Sequence, residues 1–223
     1  MRRLRDHRLS LFFLAIFLLA LGGQAIAGHV SYNHDQLDHG GETISLGRYL
    51  TSSSFAQAVM ENWQSEYLQF TVFLLVTVWL VQRGSTESKP PGEEGRESDE
   101  DQLTGEHAKQ NSPLWAKVGG IRQKVYENSL LIVMTAIWLA SWFAQSVGGW
   151  SEFNAEQIEH HGDTLSWLGY VGSSNFWEST LQNWQSEFLA VGSMVAFTIY
   201  LRQRGSPQSK PVGAPHDATG VEG

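Results

Sequence analysis

Two stretches of the chain place the same amide, indole and carboxylate side chains at the edge of an apolar run. The sequence Asn-Trp-Gln-Ser-Glu occupies residues 62–66 and recurs at residues 183–187. In each stretch the Asn and the Glu are four residues apart, so on a helix they share one face. A carboxylate beside hydrocarbon is costly unless it faces protein or water. Glu66 and Glu187 are therefore the first candidates for a functional role.

Three interpretations of these two carboxylates are open: a polar clamp between helices, an ion or proton site, or side chains that extend into water. Gln24 and Gln145 lie near the same ends of their own apolar runs, at a depth of about 5 Å by the helical rise. They are the expected hydrogen-bond donors of a clamp, and Asn62 and Asn183 complete the polar set. Such interhelical bonds contribute only about 0.6–2 kcal/mol each, so a clamp would fix register more than stability.

A second polar set contains two carboxylate–imidazole pairs, Asp35 with His39 and Glu156 with His160, each four residues apart. Zinc accepts both ligand types, and histidine titrates near neutral pH. The alternative is a short polar helix with ordinary hydrogen bonds, and neither pair has a third ligand at a convincing spacing. We expect no metal and no cofactor, and these four residues are the candidates if a metal does bind.

Composition argues against several classes of function. The 223 residues include no Cys, which excludes disulfides, thiolate catalysis and Cys-ligated metals. The formal net charge of -8 opposes binding to nucleic acid. The sequence has no phosphate-binding glycine loop, nucleophile elbow or triad-like arrangement. We therefore expect a protein that is not an enzyme and has no nucleic-acid partner.

Four apolar blocks must position these side chains. Leu9–Ala27 and Leu130–Val147 contain no charged residue and approach the roughly 20 residues needed to span a bilayer. Residues 67–81 and 188–201 form shorter apolar blocks. Together the four blocks predict an all-α fold, an integral membrane four-helix bundle.

The two shorter blocks are expected to belong to longer helices that end at Gly84 and Gly205, where glycine would cap the last turn. Such a helix has about 29 residues and a length of about 43 Å. Because the hydrocarbon layer is only about 30 Å thick, its outer part should project or tilt. This places Trp63 and Trp184 at the headgroups, where indole rings collect, as interface anchors.

The chain also repeats itself with an offset of 121 residues, which aligns 9–83 with 130–204 without a gap. Besides Asn-Trp-Gln-Ser-Glu, the sequence Gln-Arg-Gly-Ser recurs at 82–85 and 203–206. This pattern predicts a duplication into two tandem helical hairpins. It also argues that the first helix is retained, although Ala25-Ile26-Ala27 resembles a signal-peptide cleavage site, because the matching segment of the second copy is internal.

Positive charge predicts the topology. Of the 15 Lys and Arg residues, all but Arg48 lie in the N-terminal tail that includes Arg2 and Arg3, between the second and third blocks, or after the fourth. Because positive charge marks cytoplasmic loops, both termini should be cytoplasmic in a multi-pass protein of the inner (plasma) membrane. Each hairpin crosses twice, so the copies should be parallel and related by a two-fold axis along the membrane normal.

This organisation divides the chain into four segments. Residues 1–84 and 121–205 are the predicted transmembrane hairpin repeats. Residues 85–120 are rich in Pro, Gly and charge with little to bury, and predict a disordered cytoplasmic linker. Residues 206–223 predict a disordered cytoplasmic tail for the same reason.

Several motifs together resemble a known family. They are Asn-x-x-Gln-x-x-His at 33–39 and 154–160, a following Tyr49 or Tyr170, Asn-Trp-x-Ser-Glu, and Gln-Arg-Gly-Ser-x-x-Ser-Lys. They are similar to those of small bacterial membrane proteins described only as a domain of unknown function, with two hairpins per chain. The resemblance implies a bacterial inner membrane location and carries over no catalytic or binding residue.

The expected function is that of a non-enzymatic component of the bacterial inner membrane, acting through helix packing or partner binding. The alternative is a small oligomeric transporter or channel that uses Glu66 and Glu187. The expected partners are the lipid bilayer and either further copies of the chain or another membrane protein.

Overall fold

The computed structural model describes residues 5–223, and this part of the chain contains eight α-helices and no strand. Arg2 and Arg3 of the basic N-terminal tail lie outside the described residues. The helices are α1 Arg8–Asp38, α2 Leu46–Tyr49, α3 Ser53–Val76, α4 Leu114–Lys117, α5 Gly120–Glu127, α6 Ser129–Glu159, α7 Trp167–Val171 and α8 Ser174–Tyr200. The predicted all-α class is confirmed.

Within residues 5–223, α1 and α6 are the two helices that are long and apolar enough to cross a membrane. Each has 31 residues, which corresponds to about 46 Å at the helical rise. Both continue well past their apolar blocks into polar sequence. In α1 this polar end carries the i,i+4 pair of His34 and Asp38, with 3.5 Å between Nε2 and Oδ2, a spacing that supports helix.

The helices α3 and α8 end earlier than predicted. They stop at Val76 and Tyr200 rather than at Gly84 and Gly205. After α8 the guanidinium of Arg202 donates to the carbonyl oxygens of residues 198 and 199 at 3.3 and 3.1 Å. A cationic side chain thus satisfies carbonyls that another helical turn would have used. Both glycines instead have positive φ, of 87° and 82°, in the loops that follow.

The segment 85–120, for which the sequence predicts disorder, is described with turns, a single 3₁₀ turn at Gly105–His107 and the short helix α4. The ammonium of Lys89 donates to the carbonyl of Gly95 at 2.6 Å and pairs with Glu97. Gly95 N in turn donates to Val78 O at 2.7 Å. Local polar contacts therefore organise a segment with little apolar surface to bury, and the four segment boundaries stay predictions.

The chain divides into two compact units. The first comprises Met1–Met60 and Ala144–Val171, and the second comprises Glu61–Phe143 and Gly172–Gly223. The first contains α1, the short helices α2 and α7, the start of α3 and the second half of α6. The second contains most of α3, the first half of α6, all of α8 and the two Gln-Arg-Gly-Ser loops.

Candidate functional site

In the first unit, two asparagines hold the loops that follow α1 and α6. Asn33 accepts from Ile44 N at 2.8 Å and donates to Ile44 O at 3.0 Å. Asn154 makes the same two bonds with Leu165, at 2.8 and 2.9 Å. One side-chain amide therefore satisfies the donor and the acceptor of a loop residue that has no helical partner. Both asparagines belong to the Asn-x-x-Gln-x-x-His motif.

The tyrosines that follow these loops pack against glycines of the long helices. Tyr49 and Tyr170 are buried, at 5 % and 2 % exposure. A Cβ atom built on Gly28 would collide with the Tyr49 hydroxyl, and one on Gly149 with the Tyr170 hydroxyl. Glycine is required at both positions because the ring lies directly against the helix backbone.

The structure brings together two of the predicted metal candidates, His39 and His160, whose ring centroids are 5.5 Å apart. Nδ1 of His39 also lies 3.5 Å from Oδ1 of Asp35. Glu156 and His160 form no ion pair with each other among residues 5–223. No group of three or more His, Cys, Asp or Glu side chains in this part of the chain could hold a metal ion. The residues present therefore do not amount to a zinc site.

His39 is electrostatically distinct from an ordinary exposed histidine. Its pKa is raised above 6.5, first by the hydrogen bond of its ring with the Asp35 carbonyl at 2.9 Å, then by the charges of Asp35, Glu159 and Asp38. Negative charge from the ends of both long helices thus favours the imidazolium form.

A carboxylate of α6 clamps the start of α3 within the first unit. Glu152 accepts hydrogen bonds from Ser53 Oγ at 3.0 Å and from Ser54 Oγ at 2.5 Å. One turn earlier on α6, a Cβ on Gly148 would lie 3.3 Å from the backbone nitrogen of Gln57. The small glycine lets the two backbones approach closely, and the Glu152 bonds then fix their register.

In the second unit a polar seam joins α3 to α8. Glu61 Oε1 accepts from Ser179 Oγ at 2.5 Å and from Asn183 Nδ2 at 2.9 Å. One turn further along, the fully buried Gln64 accepts from the indole N–H of Trp184 at 2.8 Å. We call Glu61, Gln64, Ser179, Asn183 and Trp184 the polar seam.

An aromatic cluster borders the seam. Trp142 of α6 contacts Trp177 and Trp184 of α8 with centroid distances of 6.0 and 5.9 Å, and stacks on Trp138 at 5.8 Å. Aromatic pairs in this range add about 0.5–1.5 kcal/mol beyond their buried area. The seam and the cluster together hold α3, α6 and α8 side by side in this unit.

Glu66 and Glu187 do not take part in the seam. Glu66 is exposed and Glu187 half-buried, and within residues 5–223 neither side chain forms a hydrogen bond. The two carboxylates nevertheless lie close enough for their charges to act on each other. The interhelical hydrogen bonds come instead from Glu61, just before the repeated stretch, and from Gln64 within it. A role for Glu66 and Glu187 as an ion site or a clamp stays a prediction.

The remaining predicted residues are distributed over both units. Asn183 and Trp184 belong to the polar seam, whereas Asn62 is exposed and Trp63 half-buried. On α1 Gln24 is half-buried. Gln145 on α6 is buried, at 2 % exposure. The role of Trp63 and Trp184 as interface anchors stays a prediction.

The two Gln-Arg-Gly-Ser-x-x-Ser-Lys loops adopt matching conformations in the second unit. In the first loop Gln82 N donates to Ser88 Oγ at 2.7 Å. In the second loop Gln203 N donates to Ser209 Oγ at 2.8 Å. The second serine of the motif therefore closes each loop through a side-chain-to-backbone bond, which explains the six-residue spacing between Gln and Ser.

The lysine of the second loop is the most enclosed charge of this unit. Lys210 is 1 % exposed. The three N–H groups of its ammonium are shared among four carbonyl oxygens, those of Gly84, Pro215, His216 and Ala218, at 2.6 to 3.3 Å. Burial lowers the pKa of this ammonium, and the nearby charge of Arg202 acts in the same direction. Lys210 thereby fastens the C-terminal segment to the first loop.

Sequence reasoning missed Glu61, Gln64, Glu152 and Lys210. Gln64 and Lys210 lie in repeated motifs, so recurrence was an available signal for them. Glu61 and Glu152 correspond to Gln182 and Ser31 in the other copy, and recurrence therefore gave no indication of either. Their partners lie 98 or more residues away, beyond any local pattern.

These observations define an all-helical protein with two helices of membrane-spanning length, whose distinctive polar side chains bond one helix or loop to another. The chain belongs to the family described as Domain of unknown function (DUF6766), whose family model matches residues 1–221. The expected resemblance to a domain of unknown function is thereby confirmed. Comparisons with curated proteins and with solved structures found no match.

Proposed function

We propose that the chain is a multi-pass protein of a bacterial inner membrane that acts through helix packing and partner binding, without enzyme activity. The observation that carries this proposal is the apolar surface of α1. Nine large apolar side chains between Leu9 and Leu19 are 40–76 % exposed. Soluble monomers rarely expose contiguous apolar patches of more than a few hundred Å², whereas lipid accommodates such a surface without cost.

The internal helix α6 supports the same proposal independently of the N-terminus. Its apolar window is only 17 % buried, and that of α1 only 6 %. The core helix of a soluble protein would be mostly buried, and a cleaved leader would not lie at residues 129–159. In the proposed fold α3 and α8 complete two parallel hairpins, and both termini are cytoplasmic.

The duplication belongs to this proposal, and matching local geometry supports it. The Asn33 and Asn154 bonds, the Tyr49 and Tyr170 contacts and the two serine-closed loops each recur 121 residues apart. The bonds of Glu61 and Glu152 join one copy to the other. Helix and loop contacts account for the prominent polar groups, which supports a packing role over catalysis.

Alkaline carbonate extraction of membranes from cells that express the full chain tests the proposal. An integral protein stays in the pellet, because its spanning helices remain in the bilayer at alkaline pH. Recovery of the unaltered chain in the carbonate supernatant would contradict the membrane proposal.

The second candidate function is ion or proton transport, and the proximity of Glu66 and Glu187 favours it. Two like charges near each other attract a shared cation or proton. A proteoliposome flux assay across protons and alkali cations tests it, with the double variant Glu66→Gln and Glu187→Gln beside the unaltered chain. Flux that the double variant abolishes would support transport, and absence of flux in the unaltered protein would leave the packing role.

A further inference from the structure

A small apolar groove lies between α3 and α8 in the second unit, with a volume of about 210 Å³. Two aromatic rings of α3 and four aliphatic side chains of α8 form its walls: Phe70, Phe73, Ala190, Val191, Met194 and Val195. An apolar cavity of about 150 Å³ binds a molecule the size of benzene. This groove therefore suits a segment of one hydrocarbon chain and is too narrow for a helix about 10 Å across.

The groove also touches one polar residue from each Gln-Arg-Gly-Ser-x-x-Ser-Lys loop. Glu87 and Gln208 line it and occupy equivalent positions, 121 residues apart. Thr86 Oγ1 and Gln208 O approach to 3.5 Å, so the loops meet at this end. The loop end of the groove thus carries a carboxylate and an amide, and Gln69 of α3 is the one other polar residue of its lining.

The Glu87 carboxylate is the charge that a ligand would meet. Its side chain is half-buried and has no ion pair or hydrogen bond among residues 5–223. Cations nearby in sequence are already engaged, since Arg83 pairs with Asp217 at 3.4 Å and Lys89 pairs with Glu97. A half-buried carboxylate without a partner favours a ligand that brings a positive charge.

We propose that this groove binds one acyl chain of a phospholipid with a primary amine in its headgroup, such as phosphatidylethanolamine, with the ammonium facing Glu87. The inference rests on the proposed membrane location. The acyl chain fills the apolar walls, the carboxylate pairs with the ammonium, and the Gln208 amide is placed to donate to a phosphate or ester oxygen. An anionic headgroup such as phosphatidylglycerol lacks the positive charge and is disfavoured.

The position of the groove suits a lipid of the cytoplasmic leaflet. Phe73 lies three residues before the end of α3, and Val195 lies five residues before the end of α8. These separations correspond to about 5–8 Å along the helices. In the proposed topology both ends are cytoplasmic, so an acyl chain enters from that side and the headgroup meets Glu87 near the surface.

Photocrosslinking of the full chain in proteoliposomes tests the proposal. The probes are phosphatidylethanolamine and phosphatidylglycerol with the same photoreactive acyl chain, and mass spectrometry maps the labelled residues. The ethanolamine lipid should label Phe73 and Met194 about threefold more than the glycerol lipid, which corresponds to about 0.65 kcal/mol and lies within the range of a partly exposed carboxylate–ammonium pair. Glu87→Gln should abolish this preference and keep the labelling, whereas Glu100→Gln, an exposed linker carboxylate, should change neither.

Filling the groove is the second arm of the experiment. Met194→Trp should reduce labelling by both lipids, whereas Leu189→Trp, at an exposed position of α8 outside the groove, should not. Equal labelling by the two lipids, or a preference that survives Glu87→Gln, would overturn the proposal even if Met194→Trp fails to fold.

Occupation by a second copy is the competing outcome. Since the chain has no Cys, Val195→Cys gives a single thiol, and disulfide-linked dimers that exclude lipid labelling would also overturn the proposal. Carbonate extraction separates this failure from that of the membrane location. A chain retained in the membrane without headgroup preference refutes only the lipid site.

Discussion

The ammonium of Lys210 lies 2.6 Å from the carbonyl oxygen of Gly84, a residue 126 positions earlier. This contact joins the last repeated motif to its first copy. It also attaches the segment that follows Lys210 to the first loop, and the predicted disorder of residues 206–223 stays a prediction. Because the same ammonium serves three further carbonyls, its removal leaves several buried acceptors without a donor.

Lys210→Met should therefore release the segment 211–220. The expected loss is about 1–3 kcal/mol, the range for leaving buried polar groups unsatisfied. Limited proteolysis and amide hydrogen exchange of the C-terminal segment measure it. Lys89→Met is the matched control, because Lys89 is more exposed and donates to the single carbonyl of Gly95. Equal protection in the Lys210 variant and the unaltered chain would contradict the assigned role.

The contact of Gly149 with Tyr170 gives a steric prediction. Gly149→Ala should destabilise the protein by about 1–3 kcal/mol, because a buried ring must move to admit the methyl group. Tyr170→Phe removes the hydroxyl and should restore part of the loss. Gly192→Ala on α8 meets no atom within 4 Å and should be neutral or stabilising by up to about 1 kcal/mol. Thermal unfolding in detergent compares the variants, and equal melting temperatures for both alanine variants would refute the contact.

The polar seam predicts different effects for two substitutions of Glu61. Glu61→Gln retains an acceptor for Ser179 and Asn183 and should cost less than about 1 kcal/mol. Glu61→Leu leaves the Ser179 and Asn183 donors without an acceptor and should cost about 1–3 kcal/mol. Glu66→Leu is the control on the same helix, where no side-chain hydrogen bond is lost. If Glu66→Leu destabilises the protein more than Glu61→Leu, the clamp lies at the position that the sequence suggested.

His39 gives a pH-dependent prediction. Its folded-state pKa is above 6.5, so the imidazolium adds stability at pH below 6.5, and this stability is lost as the pH rises through the folded-state pKa. Asp35→Asn should lower the pKa measured by NMR titration of the His39 ring. Asp38→Asn should lower it less, because Asp38 is the smallest of the contributing charges. An unchanged titration in Asp35→Asn would contradict this arrangement.

The sequence predicted the elements that depend on local patterns. The apolar runs that begin at Leu9 and Leu130 identified α1 and α6, and the class is all-α. The predicted ends of α3 and α8 are wrong, because serine and arginine side chains compete for the backbone groups that a longer helix would use. Ser88 and Ser209 bind backbone nitrogens, and Arg202 binds carbonyls. The sequence prediction relied on Gly84 and Gly205 as helix caps, and it therefore placed the ends of α3 and α8 too late in the chain.

The site residues show the same difference between what local sequence patterns reveal and what tertiary packing decides. Repetition correctly drew attention to the stretch that contains Gln64 and to the motif that contains Lys210. It could not reveal Glu61 or Glu152, because each has a different residue type in the other copy and bonds to a distant segment. Such contacts follow from tertiary packing, which a single sequence does not encode in any local spacing.

In the proposed topology the chain crosses the membrane four times with both ends in the cytoplasm. Topology reporters fused after Lys89, after Gly205, near Gly40 and near Gly162 test it directly. We expect cytoplasmic signals at Lys89 and Gly205 and external signals at Gly40 and Gly162. An external signal at Lys89, or four signals from one side of the membrane, would contradict it.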